Sequence, residues 1–506
     1  MHFFRVRQVF LVLGLVFVLV PVAAVEAEGA GVGPGDNFQG SPPLVRTLVL
    51  KWGRFTDGPV HSTPVPSGNL VLVGSDGGVL YARDLQTGHH RWDFPALAKI
   101  RTTLLVHGNR VFFGAFNGFV YALELTTGWL DWQFITSGQI TSPVRVVGDT
   151  VLVGSNDGML YALQADTGAL RWQFSTGDDF IRAPIATAGS MVYIATERGI
   201  LYAVDTDQVE VRWRRKNPGL GGAWLLPWQD RLFVLSRAGD GEGTLVLCLD
   251  RFTSDIMWSQ RFSGGFSWSR PLVERGRLYV TLGPRLLALH TLTGRVLWEI
   301  SVRHVNWGYK STTVSFGAPE LGPWGLYVPV HKRDRDLERG GGQGNEIWII
   351  DPETGKIRWR VPIPGPVSSG LAVLERILLF GSSSLRVYAL GSIAVEVNQR
   401  MVAFSVLPPF LKERRTNVPV REVAEAMGWA VKWKPQTKEI KLERNERTVA
   451  FSVDSPVVLV NGEMVEVEKQ VELVAGRAVL PVRPLVGLLG GRVDWDPETL
   501  TVKIWN

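Results

Sequence analysis

Between positions 45 and 391 the chain alternates apolar runs of four to seven residues with polar turns rich in glycine, aspartate and asparagine. Runs of this length are typical of β-strands, and these turn residues tolerate the positive φ angles of tight connections. Helical periodicity is absent from this part of the sequence. The pattern therefore predicts antiparallel β-structure throughout this region.

These strands belong to a repeat with a step of about 40 residues. A tryptophan recurs at positions 52, 92, 132, 172, 213, 258, 298 and 359. Ten residues before seven of them stands a residue of an apolar run: Ala82, Ala122, Ala162, Ala203, Cys248, Ala288 and Ile349. Five of the turns in between carry Thr-Gly, at Gly88, Gly128, Gly168, Gly294 and Gly355. Such a period is the signature of a propeller blade, since one four-stranded sheet cannot bury both faces without a neighbour.

The two ends of the repeat region complement each other. The last unit reaches Val387–Leu390 and stops without a Thr-Gly turn or a tryptophan, whereas Val45–Trp52 (VRTLVLKW) matches a fourth strand with no blade before it. We expect this segment to complete the last sheet, giving an all-β, eight-bladed propeller over residues 45–391. The tryptophans are expected to pack between blades, each contributing at most about 4–6 kcal/mol of transfer free energy.

A second domain, residues 392–506, begins after Gly391 with a duplication at an offset of 62 residues. Asn417–Trp433 is echoed by Val479–Trp495, which predicts a small α+β domain of two halves, about 392–454 and 455–506. Each half should form a hairpin, a short helix ending at Gly428 or Gly490, and two further strands. Arg421 and Arg483 fall at the helix starts, where a buried carboxylate partner is favoured over an anion-binding role.

The N-terminus has the features of an export signal. Arg5 and Arg7 precede the apolar stretch Val9–Val20, and small residues follow up to Ala24 and Ala27. Residues 1–27 are therefore interpreted as a signal peptide and residues 28–44 as a flexible linker. This predicts an extracytoplasmic protein, whether secreted, periplasmic or attached to the cell wall, without a stable membrane span once the signal is cleaved.

Charge and cysteine content narrow the function classes. A net charge of +6 favours contact with anionic polymers, but no basic helix or RNP-like stretch supports a nucleic-acid partner. The single cysteine, Cys248, excludes an intrachain disulfide. Because it takes a position that alanine holds in most other blades, it is interpreted as an inert buried thiol.

The blade pattern, apolar-Tyr-Ala-Leu followed by Thr-Gly and Trp, resembles the propeller repeats of pyrroloquinoline quinone enzymes. That family contains quinone-dependent alcohol dehydrogenases and also cofactor-free propellers, such as the lipoprotein of the bacterial outer-membrane assembly machinery. The dehydrogenases carry an adjacent cysteine pair, which one cysteine cannot supply, and their calcium-binding carboxylates and catalytic aspartate find no match. The resemblance therefore implies the scaffold without the quinone.

The C-terminal duplication, with its PVR, Gly and V-x-W elements, looks like the N-terminal stalk domain of copper amine oxidases. In those enzymes the copper and the tyrosine-derived quinone belong to a separate domain. The last histidine here is His331 and the last tyrosine is Tyr388. Without either residue, the C-terminal domain cannot build a three-imidazole copper site. We expect no copper and no other cofactor.

Binding residues are sought where one propeller face departs from the repeat. The departures are Phe180–Arg182, Gly219–Trp224, Phe266–Arg270 and Arg303–Lys310. They suggest an aromatic and cationic rim made of Arg182, Trp224, Trp268, Arg270, Trp307 and Lys310. Such a rim suits a glycan, an anionic polymer or a protein surface. The alternative, that these side chains plug the central channel or pack within loops, stays open.

Together these features predict a monomeric, non-catalytic, exported binding or scaffolding protein of the cell envelope. Its partner would be an envelope protein or an anionic or glycan cell-wall polymer. The competing hypothesis is an extracytoplasmic enzyme, either a degenerate quinone-dependent oxidoreductase or a carbohydrate-active propeller that uses the Trp/Arg rim.

Overall fold

The computed structural model describes residues 47–177, 179–263, 266, 269–302, 305–306, 311–334 and 345–506. The predicted signal peptide (1–27) and linker (28–44) lie outside these ranges. Between Leu48 and Ser392 the described residues form eight antiparallel sheets, numbered here from 1 to 8. The prediction of all-β structure for the repeat region is confirmed.

Seven of these sheets have four strands and sheet 7 has six. The strands of sheets 1 to 4 are, sheet by sheet, Val65–Ser67, Leu70–Gly74, Val79–Asp84 and His90–Pro95; Leu105–His107, Arg110–Gly114, Phe119–Glu124 and Leu130–Ile135; Arg145–Val147, Thr150–Gly154, Met159–Gln164 and Leu170–Ser175; Ala186–Ala188, Met191–Ala195, Ile200–Asp205 and Glu210–Lys216. Those of sheets 5 to 8 are Leu220–Trp228, Arg231–Arg237, Thr244–Asp250 and Ile256–Phe262; Leu272–Glu274, Arg277–Leu282, Arg285–His290 and Val296–Ser301; Val305–Asn306, Ser311–Phe316, Glu320–Gly322, Gly325–Asp334, Glu346–Ile350 and Ile357–Pro362; Val367–Val373, Ile377–Ser382, Arg386–Ser392 and, from the N-terminus, Leu48–Phe55.

Sheet 8 is completed by the N-terminal strand, as predicted. Leu48–Phe55 runs antiparallel to Arg386–Ser392, with Trp52 opposite Ala389 and a bulge just before the tryptophan. Trp92 faces Ala82 in sheet 1 with the same bulge, and every other repeated tryptophan faces the residue ten positions before it. The N-terminal strand therefore pairs in the same register as the fourth strands of the other sheets, although most of the chain separates it from its partner strand.

Each indole packs on the next sheet, so the predicted packing between neighbours is confirmed. Trp132 of sheet 2 donates its Nε1–H to the carbonyl oxygen of Ala165 in sheet 3 at 2.9 Å. A Cβ on Gly168, whose φ is +71°, would lie 2.6 Å from this indole. Six of the eight tryptophans donate to the next sheet in this way: Trp52, Trp92, Trp132, Trp213, Trp258 and Trp298. The indole of one sheet therefore packs on the Thr-Gly turn of the next sheet.

Eight apolar clusters join the sheets in cyclic order. The first contains Leu72 of sheet 1 and Val111 of sheet 2, and six more link each following pair up to sheets 7 and 8. The eighth contains Val387 of sheet 8 and Val71 of sheet 1, so the last sheet packs on the first.

The cluster between sheets 7 and 8 also contains residues of the C-terminal domain. Because sheet 8 takes its fourth strand from the N-terminus, it has no outer turn to cover Trp359. Leu407, Phe410 and Val479 belong to the same cluster as this tryptophan, which is only 2% exposed. In addition, Lys51 donates to the Glu498 carbonyl oxygen at 2.6 Å, and Leu500 lies against Gly391. The C-terminal domain thus takes the place of the missing turn.

The C-terminal domain contains two seven-residue helices, the only helices among the described residues, and three sheets. Its elements are, in order, strands Ala394–Val397, Arg400–Met401, Phe410–Lys412 and Arg415–Pro419; helix α1, Val420–Ala426; strands Ala430–Lys434, Glu439–Arg444, Arg447–Ser452, Val457–Val460, Glu463–Glu466, Glu472–Val474 and Arg477–Pro481; helix α2, Val482–Leu488; and strands Arg492–Asp496 and Thr501–Trp505. Both helices end as predicted, at Gly428 and Gly490 with φ of +82° and +80°. The Trp429 amide donates to the Ala424 carbonyl and the Gly491 amide to the Val486 carbonyl, the pattern of a Schellman cap.

The two halves of this domain exchange strands rather than folding side by side. Val418 pairs with Leu480, its equivalent at the 62-residue offset, so a local twofold relation passes through this sheet. Ala394–Val397 of the first half runs parallel to Thr501–Trp505 at the end of the second. The strands Val457–Val460 and Glu463–Glu466 of the second half extend a sheet whose other three strands belong to the first.

The expectation of a buried carboxylate beside Arg421 and Arg483 is wrong. Both arginines are exposed. Arg421 lies 3.4 Å from Glu425 on the same helix, and that carboxylate is exposed as well. At the start of α1 it is Glu422, 11% exposed and 3.6 Å from Arg477, that supplies the negative charge that this end of a helix favours.

We predict that Gly168→Ala destabilises the protein by about 1–3 kcal/mol, because it strains a positive φ and displaces the Trp132 indole. Gly148→Ala in the same sheet is the matched control, since its φ is +59° but no atom lies within 4 Å of the added Cβ. Chemical unfolding measures both variants. If Gly148→Ala costs as much as Gly168→Ala, the indole contact adds nothing.

We predict that Phe410→Ala loosens sheet 8 as well as the C-terminal domain, since the fully buried ring is shared with Trp359 and Leu378. A deletion of this size costs about 3–5 kcal/mol. Hydrogen exchange in Ile377–Ser382 should accelerate. Phe451→Ala removes an equally buried ring from the core of the C-terminal domain and should leave that strand protected. Equal protection of Ile377–Ser382 in both variants would contradict the shared core.

Candidate functional site

The candidate site is the face on which the loops before the innermost strands meet the turns between the second and third strands. In sheet 1 this turn contains Asp76, whose side chain is 9% exposed. Arg101, from the loop before sheet 2, holds it with two guanidinium nitrogens, Nε at 2.9 Å and Nη2 at 2.5 Å. His61 Nδ1 lies 3.3 Å from the same carboxylate. The ion pair of Arg101 with Asp76 therefore joins sheets 1 and 2 at this face.

The environment of Asp76 keeps its carboxylate ionised. Burial by itself raises the pKa, but the hydrogen bond and charge of Arg101, joined by His61, outweigh it and bring the pKa below its ordinary value. The Asp76 carboxylate is thus occupied in holding two loops together.

The same loop-to-turn contact recurs in the next sheets at a spacing of 15 residues. His61 meets Asp76, the Arg101 guanidinium lies 5.6 Å from the centre of the Phe116 ring, and Thr141 donates to Asn156 at 3.0 Å. These contacts hold the loops and turns of sheets 1 to 3 together at one face. Sequence reasoning missed them, although the constant spacing of polar residues carried the signal.

Arg182, one of the predicted rim residues, takes the position of His61 and Arg101 in sheet 4, as the strand registers show. It is exposed, and its guanidinium lies 4.9 Å from the centre of the Phe180 ring. Phe180 is itself 42% exposed. The structure therefore places a cation and an aromatic ring together at the mouth.

Trp224 and Arg270 share one position of the repeat, two residues after that of Arg182. Trp224 is half-buried and packs against the core between sheets 5 and 6. Arg270 is exposed. The other predicted rim residues, Trp268, Trp307 and Lys310, lie outside the described residues, so three of the six are placed, on consecutive sheets.

The charge of Arg270 acts on residues of two other sheets. Burial lowers the pKa of Arg145 on sheet 3, and the charge of Arg270 lowers it further. Burial raises the pKa of Glu320 on sheet 7, and Arg270 opposes that rise. Arg145 and Glu320 both begin an innermost strand. One exposed guanidinium thus interacts with charges on two other sheets, and the three groups are net positive.

Within the described ranges there is no metal cluster, no exposed thiol and no membrane-spanning helix. No three His, Cys, Asp or Glu side chains within them converge to hold a metal ion. Cys248 is fully buried, and burial raises the pKa of its thiol to about 12, as expected for an inert thiol. No helix among the residues that the structure describes is long and apolar enough to cross a membrane.

Comparison with known proteins agrees with this architecture. A family model described as outer membrane protein assembly factor BamB matches residues 42–178, 117–228 and 220–320, together more than half of the chain. A second model, the copper amine oxidase N-terminal domain, matches residues 396–504. None of the curated proteins is a match.

Solved structures share the fold at low sequence identity. BamB from Moraxella catarrhalis has 19% identity over 68% of this chain and 99% of its own, with a TM-score of 0.52. The computationally designed protein Ika8 has 16% identity over 68% and 99%, with a TM-score of 0.55. Quinohemoprotein alcohol dehydrogenase from Comamonas testosteroni has 13% identity over 78% and 80%, with a TM-score of 0.52.

The chain is therefore a β-propeller repeat protein with an appended C-terminal module. It belongs to the BamB-type family of pyrroloquinoline-quinone-like repeat proteins and carries a copper amine oxidase N-terminal-like domain.

We predict that Glu320→Gln raises the melting temperature at pH 8. Because the folded-state pKa is raised, the ionised carboxylate destabilises the fold at high pH, and this penalty disappears below the unfolded-state pKa of about 4.3.

Asp351→Asn serves as a control of opposite sign. Burial raises the pKa of Asp351, but the Arg358 and backbone hydrogen bonds lower it to about 2. This variant should lose stability at pH 7 and converge with the parent between about pH 4 and pH 2. Melting curves from pH 3 to 8 test both, and a Glu320→Gln effect independent of pH would contradict the assignment.

Proposed function

We propose that the protein is a non-catalytic, monomeric binding or scaffolding protein of the cell envelope. In this proposal the eight sheets form one closed eight-bladed propeller, whose mouth binds an acidic protein segment or an anionic envelope polymer. The C-terminal domain covers the junction between sheets 7 and 8 and docks on envelope material. Export through the signal at residues 1–27 would deliver the protein to that compartment.

The observation that carries the proposal is the division of charges at the mouth. Asp76 and Arg101 neutralise each other and hold neighbouring loops together, so they are occupied structurally. Arg182 and Arg270 are exposed instead, and Arg270 acts on two further sheets. Exposed guanidinium groups beside an aromatic ring suit carboxylate and phosphate partners. A net charge of +6 would steer such partners to the protein.

Three further observations support the closed ring and the envelope role. The apolar clusters return from sheet 8 to sheet 1, which leaves no sheet face without a neighbour. The matching family is described by an outer membrane assembly factor, a binding rather than a catalytic role. The single cysteine cannot supply the adjacent pair of the quinone dehydrogenases.

We predict that the double charge reversal Arg182→Glu/Arg270→Glu weakens capture of the partner at least tenfold, about 1.4 kcal/mol. The protein without residues 1–27 is used to retrieve partners from envelope extracts. The variant should retrieve less of them, and retrieval by the parent should fall with added salt. Arg295→Glu, an exposed arginine in an outer turn on the opposite face, is the matched control and should behave as the parent.

Two outcomes would contradict this proposal. Equal capture by the mouth variant and the parent would remove the mouth as the binding surface. Dye reduction after addition of pyrroloquinoline quinone, calcium and an alcohol would show a quinone oxidoreductase instead of a scaffold.

A further inference from the structure

The C-terminal domain contains a cavity of about 380 Å³ that opens to solvent. It lies between the end of α2 and the tight turn that joins strands Glu439–Arg444 and Arg447–Ser452. Small-molecule sites in proteins have volumes of about 300–1,000 Å³, so this cavity has room for one small ligand.

Two guanidinium groups line the cavity from the two sides of that turn. Arg444 and Arg447 are paired across it, and neither has a carboxylate within ion-pair distance among the described residues. Arg447 donates one hydrogen bond, from Nη2 to the Leu488 carbonyl oxygen at 3.0 Å, which fixes the side chain at the end of α2. A Cβ on Gly490 would lie 2.7 Å from its Nη1, so the glycine leaves room for the guanidinium. Most of the N–H donors of the two arginines stay available to a ligand.

One of the residues that line the cavity, Trp429, has a buried donor that lacks an acceptor. Trp429 is 3% exposed, and its indole Nε1 has no hydrogen-bond partner within the described chain. A buried N–H without an acceptor destabilises a fold unless a ligand or water meets it. The lining also contains Glu446, which is exposed at the tip of the turn. With two guanidinium groups and one carboxylate, the lining is net positive.

We propose that this cavity binds a small oxyanion-bearing group, a carboxylate or a phosphate on a body the size of a sugar. The guanidinium groups would take the oxyanion, since their geometry matches carboxylate and phosphate oxygens. This site goes beyond the proposed function, because it lies in the C-terminal domain and its loss leaves the mouth of the propeller unchanged.

Calorimetric titration of the full chain tests the proposal with three probes: glucuronate, glucose 6-phosphate and neutral glucose. The expected result is binding of one or both anions and not of glucose. The comparison of glucuronate with glucose 6-phosphate distinguishes a carboxylate from a phosphate source. No heat from either anion, or equal binding of glucose, would overturn the proposal.

Variants locate the binding in the cavity. Arg444→Gln should raise the dissociation constant at least tenfold, and Arg444→Lys should retain part of the affinity because it keeps the charge. Arg421→Gln, an exposed arginine outside the cavity, should bind as the parent does. Unchanged binding in Arg444→Gln, with native circular dichroism, would overturn the assignment.

Discussion

The architecture depends on the contact between an indole and the outer turn of the next sheet. Five of these contacts join a large buried surface, a hydrogen bond to a carbonyl and a glycine whose missing Cβ lets the ring approach. The hydrogen bond contributes about 1 kcal/mol, but an indole buried without an acceptor would cost more. Because the contact always runs from one sheet to the next, it sets both the order and the spacing of the sheets.

The contact varies from sheet to sheet. The turn after Trp172 has Val209, with φ of +55°, and the turn after Trp213 has Ser254, with φ of +68°, where the other outer turns have glycine. The Trp213 indole still donates to the Arg251 carbonyl oxygen, whereas the Trp172 indole makes no hydrogen bond to the next sheet among the described residues. Trp359 has no following turn, because the N-terminal strand replaces it in sheet 8. There the C-terminal domain supplies Leu407 and Phe410 as cover. Where the N-terminal strand completes sheet 8, the C-terminal domain therefore covers the junction of sheets 7 and 8.

Much of the fold could be predicted because local spacing determines it. The ten-residue interval between Ala82 and Trp92 fixes a cross-strand pair, and Trp52 pairs with Ala389 in the same register. The strand exchange in the C-terminal domain could not be predicted, since a duplicated sequence is equally consistent with two separate halves. The prediction of a buried carboxylate beside Arg421 was wrong for a similar reason. A helix start favours a negative charge, but the sequence does not tell which side chain supplies it, and here Glu422 does. Of the candidate site, the sequence identified Arg182 and Arg270 through their departure from the repeat, whereas Asp76 follows the repeat and was overlooked.

A repeated scaffold of this kind gains specificity where its regular pairing stops. At the mouth, Asp76 with Arg101 and Thr141 with Asn156 satisfy each other, and such pairs stabilise loops without recognising a ligand. Sheets 4 to 6 depart from this pattern, because the Arg182 guanidinium lies over the Phe180 ring and Arg270 is exposed. The C-terminal domain shows the same contrast, since Lys412 and Arg415 are paired with carboxylates while Arg444 and Arg447 have no such partner in the described part of the chain. An arginine that no carboxylate neutralises keeps its hydrogen-bond donors for a partner from outside, so the breaks in internal pairing mark the surfaces where binding should be sought.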